Sequence, residues 1–214
     1  MNSTNILNSS LLTSVIRGTP YTGTVSEFQS ICEITSRSTY VEVLDMLIAN
    51  GIGSLNKAQI TFSAQDKLNI IQLALQQNCN PKRLAKNLNW KDFEDFVSVI
   101  LQKIGYSCKR NVHLRKPHMQ IDVVATMGKK ALIIDCKHWK NSGAGKMEEC
   151  AKHHLIRTKS YVTTYRDIDY AIPIIVTLNE PLRNTINRIP IVPISKFGSF
   201  LSNYDVWADQ LLHV

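Results

Sequence analysis

Two apolar runs on either side of Gly128-Lys129 constrain this 214-residue chain more than any other feature. Residues 121–126 (IDVVAT) and 131–137 (ALIIDCK) are rich in β-branched side chains and too short for stable helices, and a glycine leading a two-residue connection suits a type II′ hairpin turn. Opposed positions in such a hairpin have residue numbers of constant sum, which sets Asp122 against Asp135. Side chains two apart on a strand share a face, so Lys137 joins Asp135. Two carboxylates and an ammonium are therefore expected on one side of a ribbon. The rest of the ribbon is apolar on both faces, with Ile121, Val123, Ala125, Leu132, Ile134 and Cys136 on one and Val124, Ala131 and Ile133 on the other. Strands of that kind belong in the middle of a sheet.

Like charges directly opposed destabilise a sheet, and a buried unpaired carboxylate tends to take up a proton. A divalent cation removes the conflict, and oxygen ligands suit Mg²⁺ or Mn²⁺. Zinc is disfavoured, because Cys32, Cys79, Cys108, Cys136 and Cys150 are scattered, without a C-x-x-C pair or a convergent Cys/His set. An odd number of dispersed thiols reads as reduced, and a cytoplasmic location is expected. No apolar run reaches the length of about 18 residues that a spanning helix needs, so no membrane partner is expected. A formal net charge of +8 favours a polyanionic partner, through counterion release on phosphate contact. Only 7 basic and 5 acidic residues precede Asn89, so most of the excess lies after it.

Three regions are expected. Residues 1–38, polar at the start, read as a loosely ordered lead-in; 39–88 as a small helical domain, helix-turn-helix or winged-helix-like; and 89–214 as an α/β domain. In the second, Val41, Leu44, Leu47 and Ile48 form a stripe ending at Gly51, Ser63 and Asp66 form a helix-start signature, and a basic last helix carries Lys82, Arg83 and Lys86. In the third, a helix from Trp90 to Ile104 precedes the hairpin. Beyond it come a helix near 146–165, a strand at 172–178, a helix around 182–189, a strand at 191–194 and a terminal helix.

The ordered combination of Phe93-Glu94 in a helix ending Ile104-Gly105-Tyr106, then Gln120-Ile121-Asp122-Val123-Val124-Ala125, then Ile133-Ile134-Asp135-Cys136-Lys137, resembles the PD-(D/E)-x-K nucleases. Within them it is most similar to the branch of Mrr-like restriction endonucleases and archaeal Holliday-junction resolvases. The resemblance spans roughly Trp90 to Phe200 and implies a restriction-endonuclease-like fold, a mixed central sheet flanked by helices. It implies a metal-dependent endonuclease acting on DNA, with a structure-selective resolvase or a non-catalytic DNA-binding protein on the same fold as alternatives. By the same resemblance Asp122 and Asp135 bind the metal with the backbone carbonyl of Cys136, Glu94 supports it through water, and Lys137 orients or activates the attacking water. The Asp of D-x-K stands where many relatives have Glu, and on the following helix only Lys152 presents itself at the family's polar position.

The basic residues Lys109, Arg110, Arg115, Lys116, Lys140, Lys146 and Lys152 are the candidate DNA contacts. The run from Lys109 to His118 reads equally as an edge strand guarded by charge. Gly143-Ala144-Gly145-Lys146 lacks the first glycine and the hydroxyl residue of a P-loop, which excludes nucleotide binding there. His153 and His154 are adjacent, point to different helix faces, and read as exposed or partly buried residues rather than a metal pair. A homodimer is expected for cutting both strands.

Overall fold

Leu12, Val15 and Ile16 recur at helical spacing and are fully buried, anchoring α1 (Ser9–Gly18). The structure, a computed structural model, describes residues 9–115, 118–139 and 143–214. Residues 9–38 thus differ from a loose lead-in. After α1 come β1 (Tyr21–Thr24) and α2 (Val25–Ile31), the latter opened by a capping box between Thr24 and Glu27 and carrying the buried Phe28. Polar composition concealed this segment because a few buried side chains suffice for helices this short.

Next come α3 (Arg37–Ala49), β2 (Ser54–Asn56), β3 (Gln59–Phe62), α4 (Ala64–Gln76) and α5 (Pro81–Ala85). Gly51, at φ +70°, ends the α3 segment, and Ser63 with Asp66 forms the capping box of α4. The region 39–88 is not wholly helical, since β3 lies between β1 and β2 in an antiparallel three-stranded sheet. The order in this unit is thus helix, strand, two helices and a hairpin, followed by α4 and the basic α5, a helix of five residues.

The chain divides into Met1–Leu88 and Asn89–Val214. The second unit runs α6 (Trp90–Lys103), β4 (Ser107–Arg115), β5 (His118–Met127), β6 (Lys130–Lys137), α7 (Ala144–Thr164), β7 (Tyr170–Thr177), β8 (Thr185–Ile186), β9 (Ile189–Pro193), α8 (Ile194–Ser202) and α9 (Tyr204–Trp207). Its six strands are ordered β4-β5-β6-β7-β9-β8. The β4–β5–β6 meander is antiparallel, β6, β7 and β9 are parallel, and β8 returns antiparallel to β9. The sheet is therefore mixed, as the sequence implies. The basic run from Lys109 lies on β4 at the edge of the sheet, as one of its two readings had it. One expectation changes: the helix expected around 182–189 is the β8–β9 hairpin, whose turn residues Asn187 and Arg188 both take positive φ.

At the central turn Gly128 takes φ +59° and Lys129 does not, as type II′ requires. The β5–β6 register follows the expected constant sum from Met127↔Lys130 up to Val123↔Ile134 and stops there, one step before Asp122 and Asp135. In the β4–β5 ladder, Arg110↔Val123 and Val112↔Ile121 pair while the rung between them is missing, and there Asn111 takes φ +49°. The facing of side chains breaks at the same place. Ile121 and Val124 lie three residues apart yet share one core cluster with Ile133 of β6 and Tyr161 of α7. Regular alternation would put them on opposite faces, as the sequence reading did; the local twist at Asn111 and Asp122 resets it.

Candidate active site

The break in alternation turns Asp122 sideways. Its Oδ2 accepts a hydrogen bond from the Cys136 N–H at 2.7 Å, so the carboxylate bridges β5 to β6 where the ladder ends. Asp135, 2% exposed on β6, receives two cations: Lys137 Nζ lies 2.7 Å from Oδ2 and Arg157 Nη1 donates to Oδ1 at 2.9 Å. Glu94 comes from α6 and is also buried.

Charge ties these groups together. Burial, then the charge of Asp122, pushes the Glu94 carboxyl up to about 7. Burial and then the charge of Asp135 raise Asp122, against the opposing pull of the Cys136 N–H. Burial alone would lower Lys137, but Asp135 and Asp122 outweigh it and hold the ammonium more firmly protonated. Glu94 and Asp122, both raised by neighbouring carboxylates, thus form with Asp135 and Lys137 a centre short of positive charge.

Each layer of the domain supplies one part of this centre. On α7 the core stripe is Met147, Ala151, His154, Thr158 and Tyr161, at helical spacing. Cys150 and Arg157, seven residues apart, flank that stripe on the side of Asp135 and Lys137. Lys152, the residue expected from this helix, is exposed on another face, and Arg157 reaches the acids instead. The sequence carried a cue: Arg157 lies ten residues on from Met147, so helical spacing alone would have set it beside the core stripe. His154 is a further correction, being wholly buried, with Nε2 2.9 Å from the Ile133 carbonyl; burial lowers its pKa, so the ring is neutral.

The remaining basic candidates separate. Lys109 and Arg115 are exposed on β4, while Arg110 is ion-paired with Asp95 of α6, close enough to Glu94 to lower its pKa. Lys146 stands over the Trp139 ring, 4.1 Å from its centroid, and Lys137 approaches the same ring at 5.5 Å. Lys116 and Lys140 lie outside the described residues.

Among the described residues no three His, Cys, Asp or Glu side chains form a group that could hold a metal ion. The fit to a hard divalent ion therefore rests on a smaller set, Asp122, Asp135 and the Cys136 carbonyl. A strand residue directs its N–H and C=O to the same side. Lys137's carbonyl accepts from Leu178 N–H on the β7 side, and Cys136's N–H is turned the other way, to Asp122. The Cys136 carbonyl consequently faces the acids. One or two carboxylates, a carbonyl and retained waters are what Mg²⁺ accepts.

The mixed six-stranded sheet flanked by helices is the restriction-endonuclease-like fold. Residues 85–166 match the Mrr_cat family, described as a restriction endonuclease. No curated protein matches the chain. Two solved structures are similar in part. Protein VC1899 from Vibrio cholerae is 17% identical over 94% of this chain and 50% of its own, with TM-score 0.39. Protein AF1548, described as of unknown function, is 20% identical over 53% and 55%, with TM-score 0.35. The chain thus spans about half the length of either. Among the described residues no helix is long and apolar enough to cross a membrane.

Proposed function

We propose that this chain is a Mg²⁺- or Mn²⁺-dependent endonuclease that hydrolyses DNA phosphodiester bonds. The observation that supports this reading is the electrostatic coupling of Glu94, Asp122, Asp135 and Lys137 in a largely buried region, within a segment matching a restriction endonuclease family. Asp122, Asp135 and the Cys136 carbonyl would hold the divalent ion, which when bound would supply an acidified water and charge neutralisation at the phosphate.

The chain's own groups do the rest. Lys137, kept cationic by Asp135 and Asp122, donates to the attacking water or to a non-bridging phosphate oxygen. Glu94, with its carboxyl near 7, accepts a hydrogen bond from water in the centre and is able to hold a proton at working pH. Lys109 and Arg115 on the edge strand β4 offer backbone contacts to the duplex. A homodimer would place one such centre on each strand. The test is nicking of supercoiled plasmid by the purified chain in Mg²⁺, Mn²⁺ or EDTA, beside Asp122→Asn. Cleavage that needs the divalent ion and Asp122 is expected. Cleavage equal in EDTA, or undiminished in the variant, refutes the reading.

A further inference from the structure

The cations of the centre are unevenly shared. Both ion pairs go to Asp135, whereas Asp122 receives a backbone N–H. Lys137 belongs to the D-x-K strand, but Arg157 is brought in separately by α7, and its side chain is 29% exposed. It is thus held at its tip by a buried carboxylate while part of its length remains at the surface.

Counting formal charge shows what a second cation accomplishes. With Glu94 ionised, as it is above about pH 7, Glu94, Asp122 and Asp135 against Lys137 and Arg157 leave one negative charge. A divalent ion turns this into one positive charge, which a single phosphodiester cancels. Without Arg157 the ion-loaded centre would be neutral before DNA arrived and negative afterwards. A guanidinium also suits the task by shape, because its planar fork matches a carboxylate and a phosphate alike.

We infer that Arg157 is an exchangeable counter-ion: it neutralises Asp135 in the metal-free protein and passes to the scissile phosphate once a divalent ion takes that carboxylate. This rests on the nuclease reading above. Arg157 and the ion compete for Asp135, while Arg157 and the ion cooperate toward DNA.

The experiment compares the full chain with Arg157→Gln and Arg157→Lys. Mn²⁺ affinity without DNA is measured by calorimetry, and binding to a fluorescent duplex by anisotropy in EDTA and in Ca²⁺ over a range of salt. Arg157→Gln should bind Mn²⁺ on the order of tenfold more tightly, the factor for removing one competing charge-assisted hydrogen bond. Its DNA affinity should equal the parent's in EDTA and fall only in Ca²⁺, where the slope of log K against log salt flattens by about 0.9. Arg157→Lys keeps the charge, and its Mn²⁺ affinity should stay near the parent's. A folded Arg157→Gln protein with unchanged or weaker Mn²⁺ affinity overturns the inference, as does a DNA loss equal in EDTA and Ca²⁺. If Arg157→Gln does not fold, Arg157→Lys decides, since Mn²⁺ tightening there on the order of tenfold shows that charge competition is absent. Failure of the nuclease reading is separate: it shows in the parent itself, as no Mn²⁺ binding and no cleavage.

Discussion

Replacing Glu94 by Gln should make the metal-free protein more stable at neutral pH while leaving it almost unchanged in mild acid. The folded protein raises this carboxyl from its ordinary value of 4.5 to about 7, by burial first and the Asp122 charge second. A raised folded pKa means that the protonated form is favoured by folding. The stabilisation is therefore full below about pH 4.5 and is lost as pH climbs through 7. At about 1.4 kcal/mol per unit the full shift is an upper bound of about 3.5 kcal/mol, and relaxation and water entry around the charged carboxylate bring it to roughly 2 kcal/mol. Glutamine resembles the protonated acid, so Glu94→Gln should match the parent near pH 4.5 and exceed it by roughly 2 kcal/mol at pH 8, or about 6 °C in Tm for a unit of this size. Thermal unfolding followed by circular dichroism in EDTA, from pH 4.5 to 8, measures the difference. Parallel curves for parent and variant across that range would refute the argument, because the pH-dependent loss would then belong to other groups.

Asp122→Asn and Asp135→Asn should both abolish cleavage yet move stability in opposite directions. The first relieves a carboxyl raised by burial and by Asp135, whereas the second leaves Lys137 and Arg157 unpaired and should cost roughly 1–3 kcal/mol by urea denaturation. His154→Leu should cost about 1–3 kcal/mol at constant activity per folded molecule, by orphaning the Ile133 carbonyl that the ring bonds. Lys109→Ala and Arg115→Ala should each flatten the salt dependence of DNA binding by about 0.9, while Arg110→Ala should change it less because Asp95 already holds that charge.

The hairpin was legible because its turn chemistry and its strand pattern agree, and two-residue loops leave one register. That reasoning carried as far as Val123↔Ile134 and then failed for a local cause, since nothing in the pattern of Ile121 to Ala125 announces that Asn111 on the neighbouring strand adopts φ +49°. Glu94, Asp122, Asp135 and Lys137 were accessible through local motif and resemblance. Arg157 was not, because its partner lies 22 positions back in the chain and the pairing depends on how α7 packs over β6. The β8–β9 hairpin was mistaken for a helix because its strands are too short for alternation to show, and Asn187-Arg188 is a less evident turn pair than Asn-Gly. The segment 9–38 was hidden by its polar composition. Its helices depend on Leu12, Val15, Ile16 and Phe28, all buried.

The reversal of facing at Asp122 has a consequence for how such a centre can change over evolutionary time. A strand that alternates regularly shows each side chain to one layer only, so a site built on it would answer to a single helix. Here one carboxylate stands at the crossover, with Glu94 arriving from α6 and Arg157 from α7. Glu94 and Arg157 are thus carried by different helices, and a substitution on α7 can retune the positive side without repacking Phe93, Phe96 and Val97 on α6. Selection for a different substrate can act on one helix as a dial while the other keeps the fold.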